Sequence, residues 1–367
     1  MADIIRNDWE IVREGGRGNK DRPEKKMLFR KLILFLNLVV TTFCCNGQTG
    51  VRFVSGELVF SNKPFAQCHA STIVETSPGR FLVAAFGGTG EGNKDVCIWL
   101  SEYESGEWSS PVMIADGVAD DSIRYPCWNP VLFMNRKGRL FLFYKAGPSP
   151  QKWWGMVKHS DNQGKSWSRS ERLPDGILGP VKNKPVELPD GSVLSGSSTE
   201  TGGDWKIDAE RSADGGNTWL EIPIDPKTAF QVIQPAILVS GEKKILMLCR
   251  SKNNFIAETT SSDAGKSWST IKLTALPNPD SGIDALTLAD GRDLLVYNPQ
   301  KKGGEGRARL AVAISKDGLN WNQVLVLESE KKGEFSYPAV IQSSDGKIHI
   351  TYTYNRVNIK HVVLEGI

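Results

Sequence analysis

The clearest candidates for chemistry in this chain are six polar or ionisable side chains, each standing before a small residue or a proline. An alternating apolar stretch and a glycine turn follow each of them. The six are His69, Asn129, Lys184, Gln234, Asp284 and Tyr337. Side chains at one place in every repeat of a closed fold converge on its central channel, where ligand sites form. We predict a site lined by this set, the alternative for any single member being a hydrogen-bonded channel residue.

Arginines and tryptophans stand near this set in the sequence. Arg124 lies in RYPCWNP, Arg250 in MLCRSKN, Arg307 in KKGGEGRARL, and Trp154 in PSPQKWWGM. Guanidinium groups bind carboxylates bidentately, and exposed indole rings offer a flat apolar face on which sugars stack. The combination predicts an anionic carbohydrate as the ligand. Packing between neighbouring sheets is the alternative for the indoles.

Repeated hairpins are the elements that must position these residues. Six stretches read SPGRFLVAAF, RKGRLFLFYK, PDGSVLSGSS, SGEKKILMLC, ADGRDLLVYN and SDGKIHITYT. Their turn glycines are separated by 59, 53, 50, 50 and 55 residues. A hairpin repeated at such a period indicates a β-propeller. We predict an all-β, six-bladed β-propeller over residues 50–367, closed either by the early VRFVSGELVF or by the C-terminal IKHVVLEG.

A second phrase follows most of these hairpins. SDNQGKSW, SADGGNTW and SSDAGKSW end at Trp167, Trp219 and Trp268, and SEYESGEW and SKDGLNW are weaker copies. This is the pattern of an Asp-box turn, in which the carboxylate accepts backbone N–H bonds and the indole fills the space between sheets. We therefore assign Asp214 and Asp263 a structural and not a catalytic role.

The first 49 residues differ from the rest in composition. Residues 1–26 are polar and charged, which predicts disorder or an upstream extension. In residues 27–49, Arg30 and Lys31 precede an apolar run from Leu32 to about Phe43 and then small and polar residues. This is the layout of a secretory signal, and the run is short for a membrane span. We predict a signal peptide and a periplasmic, extracellular or outer-membrane-associated protein, with a retained N-terminal anchor as the alternative.

Charge and cysteine usage exclude several other classes of function. The formal net charge is +3 and the basic residues are scattered, so we expect no nucleic-acid partner. Cys68, Cys97, Cys127 and Cys249 are widely spaced without a CxxC pair, which argues against a metal site. We interpret them as small buried hydrophobes. We expect a monomer without a cofactor that acts on an oligosaccharide or glycoconjugate.

The box turns, the six-fold period and the stretch NPQKKGGEGRARLAVAISKDG together resemble the sialidase superfamily, in particular its bacterial BNR-repeat members. The resemblance covers essentially the whole chain after residue 49. In sialidases three arginines bind the substrate carboxylate, a tyrosine activated by a glutamate attacks the anomeric carbon, and an aspartate transfers protons. The resemblance implies that Arg250 and Arg307 are two of these arginines and that Tyr337 is the nucleophile.

The chain departs from the sialidase pattern at two places. The first inner strand reads CHAS where an R-I-P arginine is expected, and FQVIQPAIL offers Gln231 and Gln234 but no carboxylate where the activating glutamate is expected. Without that base, a tyrosine of ordinary pKa, about 10, is a poor nucleophile at neutral pH. The acid–base aspartate has a counterpart in Glu91 of FGGTGEGNKD or, less well, in Asp95.

Three hypotheses follow from these residues. The first is an exported exo-acting glycoside hydrolase of sialidase-like architecture, in which Glu91, Asp284 or His69 transfers protons beside Tyr337. The second rests on a resemblance to other propellers that separate rhamnose from glucuronate by hydrolysis or elimination, and this resemblance implies His69 as the proton-transfer group. The third is a propeller that binds glycans without catalysis. In all three the predicted binding residues are Arg250, Arg307, Arg124, Asn129, Lys184, Gln234 and Trp154.

Overall fold

The computed structural model describes residues 50–119 and 122–367. These residues form six antiparallel sheets and a single 3-10 turn, Thr201–Gly203. The sheets are the blades of a six-bladed β-propeller, as the repeated hairpins predict. The described part of the chain contains no helix long and apolar enough to cross a membrane. The predicted disordered segment 1–26 and the predicted signal peptide 27–49 lie outside the described residues.

Blades one to three follow one another along the chain, and each begins with its innermost strand. Blade one contains β2 Gln67–Ser77, β3 Arg80–Gly88, β4 Cys97–Glu104, β5 Glu107–Trp108 and β6 Val112–Ala115. Blade two contains β7 Cys127–Met134, β8 Leu140–Ala146, β9 Trp154–Ser160 and β10 Glu171–Arg172. Blade three contains β11 Val186–Glu187, β12 Val193–Thr199, β13 Lys206–Ser212 and β14 Leu220–Pro223.

Blades four to six complete the ring. Blade four contains β15 Val232–Ser240, β16 Lys244–Ser251, β17 Phe255–Ser261 and β18 Lys272–Pro277. Blade five contains β19 Asp284–Thr287, β20 Asp293–Tyr297, β21 Arg309–Ser315 and β22 Trp321–Ser329. Blade six contains β23 Phe335–Gln342, β24 Ile348–Tyr354, β25 Asn358–Glu365 and, outermost, β1 Arg52–Leu58.

The N-terminal strand β1 closes the propeller. It pairs antiparallel with β25, with Arg52 opposite Glu365 and Leu58 opposite Lys360. Of the two closing segments that the sequence allowed, VRFVSGELVF is therefore the one that completes a blade begun by the C-terminal strands. This pairing joins the first and last strands of the described residues, and blades six and one share an apolar cluster that includes Ile73, Val83 and Ile359.

The hydrophobic core lies between the blades. Each neighbouring pair of blades shares one cluster of buried side chains; between blades one and two it includes Leu82, Leu132 and Leu142, all at most 1% exposed. Cys68, Cys97, Cys127 and Cys249 are buried free thiols. The alternating apolar residues of the hairpins therefore stabilise the ring by burial between the faces of the sheets.

The turn that ends in Trp268 shows how the box sequence is built. The Asp263 carboxylate accepts the Ser267 hydroxyl at 2.6 Å and the backbone N–H groups of Lys266 and Ser267 at 3.0 and 2.9 Å. These bonds, led by that of the Ser267 hydroxyl, lower the pKa of Asp263 to about 2. The role of this aspartate is to hold the turn in shape.

The innermost strands of blades two, four and six share a bulge. In each, the strand register shifts at a left-handed residue followed by a proline. These residues are Asn129, Gln234 and Tyr337, with φ of 41°, 57° and 52°. The side chain of a bulged residue is turned out of the regular alternation of its strand, so these three residues are presented at the channel.

Blade one corrects the predicted alignment of the six polar residues. The left-handed residue there is Ala70, with φ of 55°, and His69 precedes it, opposite Phe86 in the ladder. The predicted equivalence of His69 with Tyr337 was wrong. The alignment matched residue types, whereas the bulge is defined by the backbone conformation, and in blade one alanine occupies the left-handed position.

The predicted alignment of the six polar residues is also wrong in blade three. Its left-handed residue is Lys182, with φ of 79°, and not Lys184. The Lys182 amine is buried in the channel and donates to the carbonyls of Ile283, at 2.6 Å, and Pro338. The adjacent Asn183 donates to the carbonyl of Gln234 at 2.9 Å. Lys182 and Asn183 thus connect blade three to the inner strands of blades four, five and six.

Removing the Asp263 carboxylate should destabilise the propeller. We expect Asp263→Ala to lower the free energy of unfolding by about 1–3 kcal/mol, because several hydrogen bonds to a charged acceptor are lost. Urea denaturation at pH 7 measures the effect. Asp161→Ala, which removes a more exposed carboxylate paired with Arg139, is the control. Equal stability of the two variants would contradict the assigned role.

Lys182 predicts a pH dependence of stability. Burial lowers its pKa from 10.5 to about 7 in the folded chain. Between these pH values the unfolded chain binds a proton that the folded chain does not, so the free energy of unfolding increases with pH. We expect this increase, measured by urea denaturation at pH 7 and pH 9, to be smaller in Lys182→Met. The exposed-site control Lys316→Met should keep the wild-type increase, and an unchanged increase in Lys182→Met would refute the prediction.

Candidate functional site

One face of the propeller is formed by the connections between the second and third strands of the blades, and we call it the upper face. The glycine hairpins and the box turns lie at the opposite ends of the same strands. Each upper connection carries at least one charged or aromatic side chain. In blade order these are Glu91, Trp153, Glu200, Arg250, Arg307 and Arg356.

Arg250 lies at the end of β16 and is only 8% exposed. Its Nη1 donates to Tyr337 Oη at 2.6 Å and, more weakly, to Gln234 Oε1 at 3.4 Å. Its Nε donates to the Asp280 carboxylate at 2.7 Å. The guanidinium also lies over the ring of Trp205, 4.9 Å from the centroid. Arg250 is therefore held rigidly beside the predicted nucleophile.

Arg307 and Arg356 share one carboxylate, that of Glu334. Arg307 Nη1 donates to Oε1 at 2.9 Å and Arg356 Nε donates to Oε2 at 2.7 Å. Burial opposes ionisation of Glu334, but the two guanidinium groups outweigh it and lower the pKa of Glu334. Arg307 also donates to the backbone carbonyl of Asp280 at 3.0 Å, which connects it to the partner of Arg250.

The three arginines and their carboxylates form one alternating network on blades four to six. Its order is Arg250, Asp280, Arg307, Glu334 and Arg356. We call this set the arginine network. Arg356 extends it to blade one through an ion pair with Glu91.

His69 is buried beneath this network at 2% exposure. Its Nδ1 lies 2.8 Å from the Thr353 hydroxyl, and its ring lies against that of Tyr337 at a centroid distance of 4.2 Å. Burial, and then the charges of Arg356, Arg307 and Arg250, hold the pKa of His69 well below its ordinary value. At neutral pH His69 is an uncharged imidazole and adds no positive charge to the site.

Tyr337 has amide and guanidinium neighbours but no carboxylate on its hydroxyl. Besides Arg250, its Oη accepts from Gln234 Nε2 at 3.4 Å, and among the described residues no carboxylate lies within hydrogen-bonding distance of it. The space around the ring is tight, since a Cβ at Gly282 would lie 3.3 Å from it. The Gln234 amide is therefore the inner-strand side chain that reaches the Tyr337 hydroxyl.

The structure brings together five of the predicted site residues. They are Tyr337, His69, Arg250, Arg307 and Gln234. A sixth, Glu91, is exposed and reaches the same face through its ion pair with Arg356. The alternative carboxylate, Asp95, accepts the backbone N–H and hydroxyl of Thr89 and so holds the loop that contains Glu91.

The remaining predicted residues lie apart from the arginine network. Asp284 and Lys184 form an ion pair at 2.7 Å that faces a cavity of about 490 Å³ in the channel. Asp284 also accepts the backbone N–H of Val340, which gives it a structural role between blades five and six. Arg124 is half-buried and donates to the Cys97 sulfur at 2.8 Å.

Asn129 and Trp154 both belong to blade two, Asn129 on its innermost strand and Trp154 at the start of its third strand. Asn129 is a buried bulge residue at 5% exposure. Trp154 is half-buried, packs edge-on against Tyr125, and lies beneath the guanidinium of Arg172, 5.3 Å from its ring. It lines a groove beside the arginine network and does not contact Tyr337.

Sequence reasoning missed Arg356, Glu334 and Asp280. A usable signal for Arg356 was its place in TYTYNRVN, just after the second strand of blade six, because Arg250 stands at the end of the second strand of blade four. An alignment on the ends of the second strands would have found Arg356. Asp280 and Glu334 lie in irregular segments before inner strands, and their pairing with arginines from other segments has no local sequence signal.

Comparison with known proteins agrees with this architecture. Residues 79–350 match the family model described as the BNR repeat-like domain. The anhydrosialidase of Macrobdella decora is 22% identical over 226 residues, which span 53% of this chain and 29% of that protein. The chain therefore covers less than a third of this curated relative.

Two solved structures show the same fold. A protein of unknown function from Dyadobacter fermentans superposes with a TM-score of 0.70 at 16% identity, over 86% of this chain and 99% of that one. A mutant of the NanB sialidase from Streptococcus pneumoniae superposes with a TM-score of 0.68 at 13% identity, over 84% and 70%. The chain belongs to the BNR repeat-like domain family and has the six-bladed propeller fold of sialidases.

Proposed function

We propose that this protein is a sialidase-like glycoside hydrolase that removes a terminal carboxylate-bearing sugar from a glycan. The observation that carries the proposal is the contact of Arg250 and Arg307 with Tyr337 on one face of the propeller, with Arg356 joined to Arg307 through Glu334. A propeller of the same fold is found in sialidases, and the described residues supply a nucleophile and cations of the right type.

The arginine network retains donors for a substrate carboxylate. Each guanidinium has five N–H donors in a planar fork. The contacts of Arg250 and Arg356 within the protein use Nε and Nη1, which leaves Nη2 of each side chain for a ligand. The carboxylates of Asp280 and Glu334 fix the orientation of the forks in advance, so little conformational entropy is lost on binding.

The proposed reaction uses the phenol of Tyr337 as the nucleophile. Its oxygen attacks the anomeric carbon and gives up the phenolic proton to solvent water as the glycosidic bond breaks, and the departing oxygen receives a proton, for which the protonated carboxyl group of Glu91 is the candidate donor. Water then releases the sugar and restores the tyrosine. A neutral nucleophile suits an anionic sugar, because a carboxylate nucleophile would be repelled by the substrate's own charge.

A second function is favoured by one observation, the contact between neutral His69 and Tyr337. An uncharged imidazole can accept a proton, and a tyrosine without a carboxylate on its hydroxyl is not activated as in sialidases. In this case the arginine network would bind a glucuronate, and His69 would serve hydrolysis or elimination at a rhamnose–glucuronate linkage.

Turnover assays separate the two functions. We expect free sialic acid from 3′-sialyllactose, with turnover at least about 100-fold lower in Tyr337→Phe, because the attacking oxygen is removed. Arg307→Ala should chiefly raise KM, and Arg139→Ala, at a glycine hairpin on the opposite face, serves as a control for loss of an arginine outside the network. An unsaturated uronate formed from rhamnosyl-glucuronate oligosaccharides and lost in His69→Ala would replace this function with the second. Binding of both glycans without turnover would contradict both.

We further propose that the protein is exported, because residues 27–49 have the composition of a secretory signal. Cell fractionation and N-terminal sequencing of protein expressed from the full gene test this. A mature N-terminus near residue 46–50 outside the cytoplasm is expected. An intact N-terminus in the cytoplasmic fraction would contradict export.

A further inference from the structure

The central channel contains a cavity of about 490 Å³ on the side away from the arginine network. All six blades contribute residues to its wall. Its mouth lies among the glycine hairpins, because Arg136 and Pro189 line it, are exposed, and stand shortly before the turn glycines Gly138 and Gly191. The volume lies within the range of about 300–1,000 Å³ that is typical of small-molecule sites. We call this space the lower cavity.

The lower cavity is separated from the arginine network by side chains that cross the channel. The Lys182 amine reaches from blade three to the carbonyls of Ile283, at 2.6 Å, and Pro338. Asn183 donates to the carbonyl of Gln234 at 2.9 Å. Among the described residues that line the lower cavity, none belongs to the arginine network. A ligand of this cavity therefore enters from the face opposite the proposed substrate site.

The wall of the lower cavity is mostly apolar. Five of its side chains pack against the hydrophobic clusters between the blades and are still partly exposed. They are Phe133, Val186, Val239, Leu286 and Ile341, from blades two to six. Apolar surface that remains in contact with water favours a ligand that covers it with apolar groups. The body of a fitting ligand is therefore hydrocarbon.

Lys184 and Asp284 form the polar, inner end of the lower cavity. Lys184 Nζ donates to Asp284 Oδ2 at 2.7 Å, and 19% of the lysine side chain is exposed. The Asp284 carboxylate also accepts the backbone N–H groups of Ala285 and Val340, at 3.0 and 2.8 Å. An ammonium group has three N–H donors, and within the described residues Lys184 uses one of them. The carboxylate is thus satisfied by the protein, whereas the ammonium group retains donors for a ligand.

The charges at the inner end favour an anion. Lys182 lies close enough to Lys184 and Asp284 for their charges to act on it. Burial lowers the pKa of Lys182 to about 7, so part of the population carries this second positive charge at neutral pH. At the mouth, Arg136 and Glu187 contribute one charge of each sign. An anionic group beside Lys184 therefore meets more positive than negative charge.

We propose that the lower cavity is a second binding site, which takes a small monocarboxylate with an apolar body. The ligand carboxylate accepts hydrogen bonds from Lys184, and its hydrocarbon part lies along the apolar wall toward the mouth. This site is independent of the proposed function, because it shares no residue with the arginine network. It also gives a common role to Lys184 and Asp284, two predicted site residues that lie away from Tyr337.

Octanoate and 1-octanol test the role of the ion pair, because they share a hydrocarbon chain and differ in the charged group. In calorimetric titrations at pH 7 we expect octanoate to bind at least about tenfold more tightly than 1-octanol. Combining Lys184→Met with Asp284→Asn removes the pair without leaving a buried charge unpaired, and the ratio should fall to about one. Combining Arg139→Met with Asp161→Asn removes an exposed ion pair outside the cavity and should keep the wild-type ratio.

A cavity-filling variant tests the position of the ligand and leaves the ion pair intact. Leu286→Trp should weaken binding of octanoate and 1-octanol alike by about tenfold or more, because the larger side chain occupies the apolar part of the cavity. Leu220→Trp, at a residue 66% exposed on the outer strand of blade three, should weaken neither. Circular dichroism of each variant checks that the propeller is folded.

Arg307→Ala separates the lower cavity from the arginine network, which could also attract a carboxylate. Octanoate binding that is retained in Arg307→Ala and lost in Leu286→Trp supports the proposal, whether or not any sialoside is turned over. Binding that is lost in Arg307→Ala and retained in Leu286→Trp overturns it, because the carboxylate then lies in the arginine network. Absence of octanoate binding, or equal affinity for octanoate and 1-octanol in the wild type, also overturns it and leaves the proposed function untouched.

Discussion

The arrangement of the candidate site depends on carboxylates that alternate with guanidinium groups. Arg250, Arg307 and Arg356 come from three blades, and their like charges would repel each other if they met alone. Asp280 joins the first two, with its carboxylate on Arg250 and its backbone carbonyl on Arg307, and the Glu334 carboxylate joins the last two. A buried charge without a partner is strongly destabilising, so this alternation allows the propeller to concentrate cations at one face. The same contacts fix the orientation of the guanidinium groups in the absence of a ligand.

Residues in the channel and residues of the upper connections have different roles in the propeller. Residues deeper in the channel hold the blades together, as Lys182 does when it donates to carbonyls of blades five and six. Residues of the upper connections lie on one face, and each blade contributes its own. Blades four to six supply arginines, and blade three supplies Glu200, so the charge differs around the ring. The charge on the upper face is therefore asymmetric although the fold is repeated.

Much of the fold was predictable because its signals are local and repeated. The glycine turns recur at a near-constant spacing, and each precedes alternating apolar residues, so six blades followed from the sequence. Arg250, Arg307 and Tyr337 were found through their resemblance to the motifs of a known family. The choice between the two closing segments needed the structure, because either one has the alternation of a strand.

The features that sequence reasoning missed depend on backbone conformation and on ion pairs between residues that are far apart in the sequence. Ala70 occupies the left-handed position in blade one, and Lys182 occupies it in blade three, although neighbouring residues matched the expected types better. The bulge shifts the register, and a shift of one residue turns a side chain to another direction. Glu334 and Arg356 are 22 residues apart, and their ion pair is set only when β23, β24 and β25 are assembled.

The most direct test of the account is a crystal structure of the protein with N-acetylneuraminic acid. The account predicts that the sugar carboxylate lies among the guanidinium groups of Arg250, Arg307 and Arg356, with the anomeric carbon facing Tyr337 Oη. A sugar whose carboxylate binds elsewhere, with these three arginines still engaged only with Asp280 and Glu334, would contradict it.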